Sequence, residues 1–134
     1  MKRFFLNIAS GIYFYYNTGT TKRIPYFSTI AVLVLMFFVH TLQIGIVMHR
    51  FLGITLNIFP IPSNIHRGFK YLLLAIYFTP IYLILVKMLP KSAISNNGLT
   101  ISELKKNRNL FFIYAFLNVV LIVALISDKI AIRK

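Results

Sequence analysis

The sequence predicts an all-α integral membrane protein, with three transmembrane helices at about 25–48, 69–89 and 109–127 and an N-terminal interfacial amphipathic helix. Three observations carry this. First, residues 25–48, 71–86 and 109–127 hold no Lys, Arg, Asp or Glu and are almost wholly apolar. A hydrocarbon core takes roughly 20 helical residues to cross, and a helix satisfies its own backbone there. Second, the 134-residue chain is 58% hydrophobic and has only two acidic residues, Glu103 and Asp128, too little charge to cover a soluble domain. Third, the basic residues fall in short clusters between the apolar runs, as juxtamembrane anchors do. The net charge of +13 alone could suggest nucleic-acid binding, but this placement argues for anionic lipid headgroups instead. The whole chain reads as a single membrane domain.

Residues 1–24 form the interfacial arm. Phe5, Ile8, Ala9, Ile12 and Tyr16 recur at helical spacing, with Asn7, Ser10, Gly11 and Asn17 on other faces. The stretch is too short to span, so it should lie in the interface, anchored by Lys2 and Arg3. Lys2-Arg3-Phe4-Phe5-Leu6 imitates the start of a signal peptide, but Asn7 and Ser10 interrupt its apolar run. Asn17-Thr18-Gly19-Thr20 reads as a turn, and Lys22-Arg23 mark the membrane edge.

The first span, 25–48, opens on Pro25, which a first helical turn tolerates because its missing N–H would be unpaired anyway. At 1.5 Å per residue it is about 36 Å long, enough to cross with some tilt. His49-Arg50 close it. Residues 49–68 form a Pro-rich interfacial or re-entrant loop, since Gly53, Pro60 and Pro62 break any continuous helix. The interfacial form is the one expected.

The second span, 69–89, is flanked by Arg67 and Lys70 at one end and Lys87 and Lys91 at the other, with Pro90 as its stop. Pro80 near its middle should kink it, with Thr79 placed to help satisfy the freed backbone group. Residues 90–108 are a basic loop and helix start. A polar turn over 92–99 leads into Thr100-Ile-Ser-Glu103, which has capping-box spacing. The third span, 109–127, follows without a break, and a basic tail, 128–134, ends the chain.

Nine of the 15 Lys and Arg residues fall on the N-terminal side of the spans and six on the opposite side. The positive-inside rule therefore favours an N-terminus inside. The expected location is a bacterial cytoplasmic (inner) membrane or an organellar inner membrane.

Polar side chains within a bilayer are costly, so they mark contacts or sites. His40 and Gln43 share one face of the first span, and Asn118 is the matching polar residue of the third, with Tyr114 one turn before it. This trio is expected to act as helix–helix glue; the sharper alternative is a small polar site that binds a ligand or carries protons. Haem ligation by His40 would need a second ligand from outside the chain. His49-Arg50 and His66-Arg67 should flank the Pro-rich loop at one interface. There they anchor lipid headgroups, or grip a phosphate or carboxylate.

Catalysis finds little material. Cysteine is absent, which removes thiolate nucleophiles and thiolate metal sites, and no carboxylate lies near the histidines. The two acids are expected on opposite membrane faces, no glycine-rich phosphate loop occurs, and neither Ser28 nor Ser63 has a base held by a third group. No enzyme, metal or cofactor is expected. The expected function is that of a non-catalytic accessory subunit of a larger membrane complex of the secretion, transport or respiratory type, acting by helix packing and lipid anchoring. Its partners would be anionic lipid and other membrane subunits. A homo-oligomeric pore or holin-like channel is the alternative, weakened by the lack of a polar stripe along any span. A small immunity or inhibitor protein that binds one membrane partner is another.

Overall fold

The computed structural model describes residues 2–19, 24–54 and 66–131. Five helices and no strand occur among them: α1 (Lys2–Thr18), α2 (Pro25–Leu52), α3 (Arg67–Met88), α4 (Lys91–Ser95) and α5 (Ile101–Ala131). Three of these, α2, α3 and α5, are long and apolar enough to cross a membrane. Lys22-Arg23, Pro60, Pro62, Ser63 and the end of the basic tail lie outside the described residues.

α2 starts as its sequence dictates, with Pro25 in the first turn and Ile24 before it. It runs past the expected end at Met48 to Leu52 and closes where Gly53 turns left-handed, at φ 65°. A left-handed glycine terminates a helix at no Cβ cost. His49 and Arg50 are thus in the last turn, where positive charge suits the helix dipole.

α3 starts two residues earlier than expected, because the His66 ring accepts a hydrogen bond from the Gly68 N–H at 3.3 Å. The helix continues through Pro80 to Met88. Thr79 does not satisfy the group Pro80 frees. Its hydroxyl donates to the Ala75 carbonyl at 2.8 Å, whereas an i→i−4 proline orphans the carbonyl of Ile76.

Residues 92–99 are not simply a polar turn. Pro90 opens the short helix α4, whose Ile94 is buried. The sequence pattern there is too short to show helical period, so burial of one isoleucine decides it. α5 begins with the expected capping box: Thr100 Oγ1 accepts from the Glu103 N–H at 3.3 Å, and Glu103 Oε2 accepts from the Thr100 N–H at 2.8 Å.

The core gathers at one end of the molecule. Ala9, Ile30, Leu89 and Ile94 are buried together, with Leu33, Tyr82 and Leu85 packed against them. Tyr26 at the start of α2 donates from its hydroxyl to the carbonyl of Leu89 at the end of α3, at 3.0 Å. α1 packs on α5, α2 and α4. The N-terminal arm, the start of α2, the end of α3 and the start of α5 therefore share one end, as up-down-up threading requires.

α1 does not present the face its sequence suggests. Ser10 and Gly11, expected away from the apolar side, are buried with Ala9 and Ile12. The reason is the neighbour. A Cβ on Gly11 would stand 2.7 Å from the Arg108 nitrogen and 2.9 Å from the Leu104 carbonyl oxygen, so the backbones of α1 and α5 touch here. The Ser10 hydroxyl donates to the Ile94 carbonyl at 2.9 Å. Phe4, Phe5 and Tyr15 are left on the outside.

Candidate functional site

The polar residues of the apolar helices meet in one place. His40 and Gln43, three apart, sit on the side of α2 that faces α5. Asn118 and Tyr114, four apart, sit on the side of α5 that faces α2. Gln43 and Asn118 are each 8% exposed, and both belong to helices otherwise clad in exposed Leu, Ile, Val and Phe.

Their hydrogen bonds form a closed, directional ring. The His40 Nδ1 pairs with Gln43 Oε1 at 2.9 Å. An amide oxygen only accepts, so Nδ1 carries the proton and donates. Nε2 is then the acceptor, and it takes the hydrogen bond of the Tyr114 hydroxyl. Gln43 Nε2 donates to both the Asn118 backbone oxygen and its Oδ1, each at 3.1 Å. Asn118 Nδ2 donates to the Tyr114 carbonyl at 2.8 Å, which returns the ring to its start. The tautomer and both amide orientations follow from this network.

Each member is satisfied by another member. An unpaired amide or imidazole among apolar side chains carries a desolvation cost of a few kcal/mol, which the ring removes. Both nitrogens of His40 are occupied, so as placed the ring offers neither to a metal. Among the described residues no three of His, Cys, Asp and Glu converge.

The structure thus brings His40, Gln43 and Asn118 together. Tyr114 completes the set; its i, i+4 spacing from Asn118 is the signal that points to it. The second candidate group is dispersed in role. His66 caps α3, Arg50 lies 5.9 Å over the Phe51 ring, and His49 and Arg67 are exposed at helix termini.

Two further polar contacts escape the sequence pattern. Ser10 and Tyr26 each donate to a carbonyl of the 89–94 segment, joining α1 and α2 to the turn after α3. Ser10 also lines a cavity of about 430 Å³ with Asn17, Ile94, Asn97 and Leu104, among others. Asn97 shapes its rim by accepting from the Leu99 N–H at 3.1 Å.

Comparison of this chain with protein-family models, with curated proteins and with solved structures gives no match. The molecule is accordingly defined by what its own fold presents: three apolar helices, two of which, α2 and α5, are joined by a polar ring.

Proposed function

We propose that this chain is a non-catalytic accessory subunit of a larger membrane complex of the secretion, transport or respiratory type. It sits in the lipid bilayer with its N-terminus inside, in a bacterial cytoplasmic or an organellar inner membrane. The observation that carries this reading is the position of α3. It leans mainly on α2, and Leu72, Ile76 and Leu83 along its length remain exposed. A helix held on one side, in a chain too small to cover it, is a surface offered to other membrane helices.

The polar ring supports the same reading. His40, Gln43, Tyr114 and Asn118 spend their hydrogen bonds on one another. That is the use expected of polar residues as glue between helices. Among the described residues no polar stripe runs along an outer face of α2, α3 or α5, which disfavours the pore reading.

The test is the mass and composition of the particle extracted gently from its native membrane. A stoichiometric set of larger subunits is the expected result and would identify the process. A closed ring of identical chains would overturn the reading in favour of a pore, and a single bound membrane protein in favour of an inhibitor.

A further inference from the structure

Phe5 of α1, Phe37 of α2, Ile81, Ile84, Leu85 and Met88 of α3, and Leu89 just after it enclose a wholly apolar groove of about 250 Å³. It runs along the last two turns of α3, about 12 Å at 1.5 Å per residue. One end lies at Leu89, where Tyr26 binds the chain terminus of α3; the other lies toward the middle of α2 at Phe37. The groove therefore runs from the C-terminal end of α3 toward the middle of α2, the direction an acyl chain takes in a leaflet.

Three basic residues neighbour its lining residues along the chain. Lys87 falls three residues after Ile84, on the same stripe of α3, and Lys91 follows two residues after Leu89. Arg3 stands in the first turn of α1, two residues before Phe5. All three side chains are exposed. The chain has only two acids to neutralise such groups, and Glu103 is bound to Thr100.

We propose that this groove is a binding site for one anionic phospholipid, with an acyl chain between Phe37, Ile81 and Ile84 and the phosphate at Lys87 and Lys91. Size selects lipid over a protein partner. A helix is about 10–12 Å across with its side chains and lies over so small a groove without filling it. A single hydrocarbon chain enters it. Charge selects an anionic headgroup, since lysines at a membrane surface attract one. The proposal rests on the membrane location, but not on the chain being a subunit of a complex.

The experiment reconstitutes the full chain in phosphatidylcholine vesicles doped with a phosphatidylglycerol that carries a photoreactive diazirine on one acyl chain. Adducts are mapped by mass spectrometry. They should concentrate on Phe5, Phe37 and residues 81–89, and unlabelled phosphatidylglycerol should compete for them better than phosphatidylcholine. Lys87→Gln with Lys91→Gln should weaken that competition by about fivefold per lysine. Ile84→Trp, at a side chain already 57% exposed, should abolish the adducts with the melting transition unchanged. Adducts spread evenly over outward residues such as Leu117 and Val123, or equal competition by both lipids, would overturn the site. A chain that washes off the vesicles in alkaline carbonate would overturn the membrane location itself, a separate failure.

Discussion

Gln43 holds the polar ring together, because it makes one bond within its own helix and two across to α5. Its oxygen accepts from His40 on its own helix and its nitrogen donates twice to Asn118 across the interface. Gln43→Leu removes all three bonds and leaves the imidazole N–H and the Asn118 oxygen without their partner. It should lower unfolding stability in detergent by about 1–2 kcal/mol, the upper range for interhelical polar contacts in membranes. His40→Leu leaves the Gln43–Asn118 pair in place and should cost only about 0.6 kcal/mol, with assembly retained. If His40→Leu instead abolished the activity of the parent complex while the particle stayed intact, the ring would be a functional site rather than glue.

At the scale of elements, α1 and α5 meet backbone to backbone at Gly11. A methyl group there has no flexible side chain to push aside, because its nearest neighbours are the Arg108 nitrogen and the Leu104 oxygen. Gly11→Ala should separate the two helices at a cost of about 1–3 kcal/mol, as overpacking does, and raise amide exchange across α1. The start of α5 depends on pH. The Thr100 backbone N–H, and then its hydroxyl, hold the Glu103 carboxyl below the usual carboxylate range. A depressed folded-state value means the cap stabilises the helix above the ordinary carboxylate range and loses that effect as pH falls through the folded value. Amide protection in the first turn of α5 should therefore fall on acidification, and Glu103→Gln should remove that dependence.

For the whole molecule, the shared end of α1, α4 and the starts of α2 and α5 defines a labelling test of topology. A cysteine is best placed at Asn96, which is exposed; Asn97 is half-buried and binds the Leu99 N–H. With the N-terminus inside, Asn96→Cys should resist an impermeant thiol reagent added outside, while Ser63→Cys should react. The reverse pattern would invert the orientation. The chain has no cysteine of its own, so each signal would be unambiguous.

The three apolar helices, the Pro25 start and the Thr100–Glu103 cap were legible in the order of residues, because each depends on local composition or on spacing within one turn. The meeting of His40 and Gln43 with Asn118 was legible as well, since an apolar surround leaves few polar residues to pair. Residue order could not show that Ser10 and Gly11 are the buried side of α1, or that Ile94 makes a helix of a polar loop. Nor could it reveal the groove between Phe5, Phe37 and Ile84. Those outcomes depend on which neighbour each surface meets, and residues far apart in the chain meet only once the helices have packed.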